Sequence, residues 1–187
     1  MRTRRVGRSG IWAVCLALLG GALLPGTAQA KTAQEVDAGV NAALNQFIKQ
    51  VKGAKEFLQG APGVLVFAGV YQAGLGIGGE YGEGALRIHG RTAGYYSIAS
   101  ASIGFQLGVQ KKDIILVFLR EGALKDFQAK SGWQVGVDGS VVLVDLGAQR
   151  SLDSTKFNQP IVGFVVGQKG LMYNLSLAGS KISKMRK

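Results

Sequence analysis

The stretch Gly63–Leu86, GVLVFAGVYQAGLGIGGEYGEGAL, limits what this chain can fold into more than any other. It opens on Val64-Leu65-Val66-Phe67, an apolar run of strand length. Gly74, Gly76 and Gly78 then alternate with Leu75 and Ile77. Side chains on a strand point to opposite faces with period two, so an extended Gln72–Tyr81 leaves one face bare over the three glycines. A bare face admits a helix, another strand or an apolar ligand at close range. Glycine weakens a strand, so three in register call for a packing or ligand reason. The same residues, Gly74-Leu75-Gly76-Ile77-Gly78-Gly79, fit G-x-G-x-x-G. A dinucleotide site needs a helix to open there, and Glu80-Tyr81-Gly82-Glu83-Gly84 is poor helix material with no βαβ alternation after it. The stretch therefore reads as sheet, not as a phosphate-binding loop.

The N-terminus has the layout of a secretory signal. Arg2, Arg4, Arg5 and Arg8 form a positive region, Ile11–Leu24 an apolar one, and Ala28-Gln29-Ala30 a small-residue cleavage site. Residues 1–30 are expected to be a signal peptide removed after Ala30, which sends the product to the periplasm or cell envelope. Arg4-Arg5 also invites a twin-arginine reading, but Val6-Gly7 does not continue it. No later run approaches the roughly 18 apolar residues of a helical span. The lone cysteine, Cys15, lies inside the apolar region, so residues 31–187 hold no disulfide, thiol nucleophile or thiolate metal site. Cleavage removes four positive charges and no negative ones, which takes the formal charge from +11 to +7. Such a surplus favours anionic partners, and export argues against nucleic acid among them. The remaining length suits a single domain.

Lys31–Leu58 reads as one long amphipathic helix. Val36, Val40, Leu44, Phe47, Ile48, Val51 and Leu58 recur at three- and four-residue spacing. Thr32 and Glu35 have the spacing of a capping box, and Gly60 and Pro62 end the helix. His89-Gly90-Arg91-Thr92 reads as a turn, Gly94–Gly108 as strand, and Lys111-Lys112-Asp113 as a second turn. Ile114–Leu119 is apolar on both faces, as in a central, covered strand. Glu121–Lys130 is a short helix with Leu124 and Phe127 inward. Trp133–Val137 and Ser140–Leu146 are strands joined by an Asp138-Gly139 hairpin. Gln149–Pro160 is a polar loop. Ile161–Val166 and Leu171–Leu177 form a last hairpin through Gly167-Gln168-Lys169-Gly170, and Ser180–Lys187 is expected to fray. The fold class expected is α+β: an N-terminal helix on a mostly antiparallel, glycine-rich sheet of roughly six to eight strands, with one short extra helix.

Catalytic constellations are missing from this sequence. His89 is the only histidine and sits in a turn. Glu80 and Glu83, three apart on a strand, face opposite sides and cannot pair as acid and base. Asp138 is explained by its turn. Asp145 interrupts an apolar strand and must face water or a cation such as Arg87 or Arg150. No nucleophile, base and orienter come together, so no enzyme and no cofactor or metal is expected. Tyr71, Tyr81, Tyr95, Tyr96, Trp133 and Tyr173 carry polar tips that suit either a core rim or an apolar–aqueous boundary.

Several of these segments together resemble the SYLF domain family. They are Gly63-Val-Leu-Val-Phe-Ala with its glycine-dense continuation to Gly84, Ser102-Ile-Gly-Phe-Gln-Leu-Gly108, Asp113-Ile-Ile-Leu-Val-Phe-Leu119, Val137-Asp-Gly-Ser-Val141 and Lys169-Gly-Leu-Met-Tyr-Asn-Leu-Ser-Leu-Ala-Gly-Ser180. They keep the family's order over most of residues 33–182. The resemblance implies a lipid-binding, non-enzymatic module. Eukaryotic members bind phosphoinositides through a basic amphipathic N-terminal helix, and some bind actin; exported bacterial members also exist. The matching helix here is less basic, with Lys49, Lys52 and Lys55 in its second half and Glu35 and Asp37 in its first.

The expectation is a single SYLF-like domain over residues 31–187 that meets anionic phospholipid or phosphoinositide-like head groups. Its contacts are Lys49, Lys52, Lys55, Lys181, Lys184, Arg186 and Lys187. Actin is not expected for an exported chain. The alternative is a structural envelope protein that self-associates as a homo-oligomer through its glycine strands.

Overall fold

A computed structural model describes residues 30–144, 152, 158–167, 170–171 and 177–187, with backbone alone for 74–77, 102–110, 167, 170 and 171. The chain divides into two units, Met1–Ala30 and Lys31–Lys187, and all the elements belong to the second.

Helix α1 spans Ala33–Gln50. The Thr32 hydroxyl accepts the Glu35 backbone N–H at 3.2 Å, and the Glu35 carboxylate accepts the Thr32 N–H at 2.7 Å, which completes the expected capping box. Those bonds from Thr32 hold the Glu35 carboxyl below its ordinary range. Val36, Val40, Ala43 and Phe47 are buried along one stripe. The helix does not run unbroken to Leu58. Val51 is extended and Gly53 takes a left-handed φ of 80°, after which α2 spans Ala54–Gln59. Leu152 closes over the break, and a Cβ on Gly53 would lie 2.9 Å from its carbonyl oxygen. The bend swings Ala54 and Phe57 onto the same core as the α1 stripe.

Two long strands follow, β1 over Gly63–Ile88 and β2 over Arg91–Phe118. They pair antiparallel around His89-Gly90, whose φ values of 49° and 77° are those of a two-residue type I′ turn. The expected turn at Lys111-Lys112-Asp113 is absent. Those residues stay in the ladder, opposite Tyr71, Val70 and Val166. Their charge is met from within: Lys112 pairs with Glu80, and Asp113 accepts the Gly69 N–H at 2.7 Å.

Strand β1 curls across itself. A Cβ on Gly82 would lie 2.6 Å from Val70 Cγ2, and one on Gly84 would lie 2.0 Å from the Val66 carbonyl oxygen. A straight strand would hold Val70 and Gly82 roughly 40 Å apart. Register shifts at Phe67/Val70, Gly74/Gly76 and Leu86/Arg87 provide the bends. The close approach foreseen from the glycines is thus made by Gly82 and Gly84. Gly74, Gly76 and Gly78 pair with Gly108, Gly104 and Ser102 in the ladder.

Alternate residues of the central strands feed two cores. Val64, Val66, Ile115, Val117, Val162 and Phe164 face α1 and α2. Leu65, Phe67, Ile114, Leu116, Phe118, Ile161 and Val165 face the other way, toward α3 (Glu121–Ala129) through Leu124 and Phe127. Strand β3 is Gly132–Gln134, β4 Val142–Leu143, β5 Ile161–Gly167, β6 Gly170–Leu171 and β7 Lys181–Met185. They complete a seven-stranded sheet in which β4 on β5 is the one parallel pair among the described residues. The α+β expectation holds, with two short extra helices instead of one.

Two further expectations are corrected. Trp133–Val137 and Ser140–Leu146 do not form a hairpin: β3 pairs with β7 and β4 with β5, leaving a single bridge from Val135 to Gly139. Trp133 covers Gly139, where a Cβ would lie 2.6 Å from its ring, and so blocks a continued ladder. Asp138 accepts the Gln134 N–H and pairs with Lys130 at 2.5 Å, and these contacts, Lys130's first, hold its carboxyl below the ordinary range. The tail does not fray either. It is β7, pinned between β2 and β3 by the fully buried Ile182. The β5–β6 turn falls where expected, with Gly167 opposite Gly170. The rest of the expected Leu171–Leu177 strand, and most of the Gln149–Pro160 loop, lie outside the described residues.

Gly84→Ala is expected to destabilise the fold by about 1–3 kcal/mol or more, because its neighbour is backbone. Gly122→Ala on α3, with nothing within 4 Å, should be neutral or add up to about 1 kcal/mol. Urea denaturation of the two variants checks both signs.

Candidate functional site

The cations singled out in the sequence fall into two groups. Lys49, Lys52 and Lys55 are exposed where α1 gives way to α2, beside Ile48, itself 36% exposed. Lys181, Lys184 and Arg186 are exposed on and just after β7. Lys187 departs from its group: its side chain is only 6% exposed, and Nζ lies 2.8 Å from Glu83 Oε2 and also donates to the Lys31 carbonyl. That carbonyl lies just before α1, which is about 27 Å long, so the end of β7 and the Lys49 group mark opposite ends of the helix.

Each flank of α1 carries a cavity. One, of about 410 Å³, lies between α1, α2 and the β1–β2 turn. Leu44, Ile48 and Leu58 make it apolar, and Lys55, Arg87 and His89 add polar groups. Arg87 braces that side. Its Nη2 lies 3.1 Å from Asp37 Oδ1 and donates to Asn41 at 2.9 Å, and its Nη1 donates to Thr92. Asp37 also accepts from Thr92 and, at 2.8 Å, from the Tyr95 hydroxyl, and that hydrogen bond raises the Tyr95 pKa above its ordinary value. Arg87 therefore pairs with Asp37; its other suggested partner, Asp145, lies outside the described residues. His89 is an exposed turn residue, as expected.

The other cavity, about 310 Å³, lies between α1 and the bulge of β1. Gly39, Ala42, Ala43 and Ala68 give it small walls, and Lys31, Lys111, Lys112 and Asp113 also line it. Lys31 Nζ reaches the Ala68 carbonyl at 3.4 Å, and Lys111 Nζ sits 5.5 Å from the Tyr71 ring centre. Lys112 turns inward, with Nζ 2.6 Å from Glu80 Oε2 and 3.2 Å from Gln72 Oε1. The side chains of this pair are 2% and 7% exposed, and Glu80 Oε1 has no hydrogen-bond partner among the described residues. Tyr71 and Tyr81 are each 52% exposed, whereas Tyr96 and Trp133 are core. Tyr81 donates to Glu83 at 3.1 Å; burial and then that carboxylate raise its pKa.

Sequence reasoning missed the inward roles of Lys112 and Lys187 and the part played by Lys31 and Lys111. The usable signal was Lys111-Lys112-Asp113 abutting a strand buried on both faces. Charges there need partners on other strands, and nothing local names them. Among the described residues no three His, Cys, Asp or Glu side chains cluster for a metal, and no helix is long and apolar enough to cross a membrane.

Residues 99–187 match the family model described as Ysc84, Las17-binding protein actin regulator. The match runs from within β2 through β7 and is consistent with the Ysc84 or SYLF family, as the resemblance implied. It is a family of binding domains, associated with lipid or actin-patch contacts rather than with catalysis. Comparison with curated proteins gives no match.

Lys112→Met is expected to cost about 3–5 kcal/mol, because it leaves Glu80 charged and buried. Lys112→Met combined with Glu80→Leu should recover most of that loss in a denaturation cycle. A single variant as stable as the parent would show that the pair is not buried in solution.

Proposed function

We propose that the protein is exported and binds anionic phospholipid at the cell envelope without catalysing a reaction. One observation carries this reading. Lys55 lines the apolar cavity with Leu44, Ile48 and Leu58, and Lys49 and Lys52 are exposed just before it in the chain. Phosphate meets the ammonium groups while acyl carbon meets the cavity. Each lysine near an anionic surface contributes about 1 kcal/mol, less as salt rises. Lys181, Lys184 and Arg186 are further exposed cations on and just after β7, and Lys187 holds the strand end on Glu83. The family's lipid association favours the reading, and export would keep this chain away from the actin regulation named in the family description.

Vesicle sedimentation at low salt tests it. Binding to phosphatidylcholine vesicles should appear when phosphatidylglycerol is added and weaken as salt rises. Lys49→Ala/Lys52→Ala/Lys55→Ala should lose roughly tenfold or more in affinity. Equal pelleting with and without phosphatidylglycerol removes the proposal. Export has its own check: protein purified from the periplasm should begin at Lys31 on N-terminal sequencing.

A second reading, self-association, is favoured by β4, which ends the described sheet order and leaves Val142 42% exposed, with Val137 75% exposed nearby in the chain. A strict monomer by light scattering removes it.

A further inference from the structure

We infer that the smaller cavity, on the flank of α1 away from the apolar one, is a phosphoryl-anion site whose cations are Lys31 and Lys111. This extends the lipid reading by naming a chemical group and a place, and its test can fail separately.

The balance of charge points to an anion. Lys112 is matched by Glu80, and Asp113, whose Oδ1 accepts the neutral Gly69 N–H, keeps one negative charge in the lining. Lys31 and Lys111 set two positive charges against that one, and their hydrogen-bond and ring contacts are to neutral groups, with Glu35 within electrostatic reach of Lys31. Lys31 makes one long 3.4 Å hydrogen bond to the Ala68 carbonyl, and Lys111 lies over the Tyr71 ring. An ammonium has three donors, so both have capacity left. Neither is in an ion pair among the described residues.

The two ammoniums also approach neighbouring points. Lys31 reaches Ala68, and the end of the Lys111 side chain lies against Gly69, where a Cβ would sit 2.6 Å from its Cε. Gly69 takes a left-handed φ of 65° at the bulge and leaves room for that lysine. Small side chains line the α1 wall, so the roughly 310 Å³ is not filled by this chain. A water occupies about 30 Å³ of liquid, so a phosphate with part of an attached alcohol fits. Phosphate oxygens in place of a carbonyl and a ring would give both lysines charge-assisted bonds. The ligand chemistry is thus a phosphomonoester, from a lipid head group or from free phosphate.

Calorimetry and amide NMR with inorganic phosphate test the site in the purified protein. Expected are a binding heat and a shift of the Gly69 amide. Lys31→Ala/Lys111→Ala should weaken phosphate binding roughly tenfold or more, since charge-assisted hydrogen bonds are the stronger kind. Neither lysine is in the core, so the variant should keep its melting temperature. Lys125→Ala, an exposed lysine of α3, should bind phosphate unchanged. Absence of both heat and Gly69 shift, or undiminished binding by the Lys31/Lys111 variant, overturns the inference. Phosphatidic acid vesicles that displace phosphate identify a lipid source. Vesicles that leave it bound identify free phosphate, and the site stands. Should phosphate fail to bind while phosphatidylglycerol vesicles still pellet the protein, this site is lost and the lipid reading is not.

Discussion

The crossing of β1 over itself, where Gly82 and Gly84 lie against Val70 and Val66, is the contact from which the rest of the structure follows. Two strands of 26 and 28 residues are far longer than strands that stay flat. Twist accumulates along such a ribbon, and bulges turn it into a curl. At the crossing a side chain would collide with the Val70 side chain at Gly82 and with the Val66 backbone at Gly84, so glycine is required by distance and not by dihedral. Once closed, the ribbon has a base whose two faces are both covered. The helices α1 and α2 take one and α3 the other, which is why Val64–Phe67 and Ile114–Phe118 are apolar at every position.

The curl also sets which charges meet. Glu80 and Lys112 are far apart along the unrolled hairpin, where Glu80 pairs with Ser100 and Lys112 with Val70. They meet only because the ribbon folds over. Burying such a pair costs several kcal/mol per ion in desolvation, and attraction returns it only with good geometry. A ribbon slipped by one residue would send one member to the other face and strand its partner. The pair thus penalises wrong registers of a glycine-rich hairpin whose own side chains specify register weakly. Glu83 and Lys187 act likewise at the chain end, tying β7 to β1.

Local signals were read correctly and distant ones were not. The capping box at Thr32 and Glu35, the His89-Gly90 turn, α3 and the covered strand at Ile114 depend on neighbours within a few residues, and each was legible. The break at Val51–Gly53 was missed because the apolar spacing continues through it; only Leu152, about a hundred residues on, shows why the chain bends. The Asp138-Gly139 hairpin misled because a good turn dipeptide was outbid by the tail, which supplies β7 as partner for β3. Lys111-Lys112-Asp113 reads as a turn because Glu80, the partner of Lys112, belongs to another part of the curl. Of the candidate site, the exposed lysines around α2 and β7 could be named from sequence. Whether a given lysine faces out or in could not, as Lys187 shows.

That distinction decides how a basic surplus should be read. Arg87, Lys112, Lys125, Lys130 and Lys187 each have a carboxylate within 4.0 Å. These cations are neutralised locally and contribute little to the field an approaching partner meets. The surplus is carried by cations without a carboxylate among the described residues. Lys31 and Lys111 are at one flank of α1, Lys49, Lys52 and Lys55 around its end, and Lys181, Lys184 and Arg186 on the tail strand. Of the carboxylates, Glu80 and Glu83 are drawn inward and Glu35 and Asp37 are spent on α1 capping and bracing, while Glu56, Glu121 and Asp126 stay exposed. Packing has thus sorted part of the charge, holding Glu80 and Glu83 in the fold and leaving lysines around the one helix that both cavities share. A field of this kind favours an anionic partner, and its cations are set by the packing and not by net charge alone.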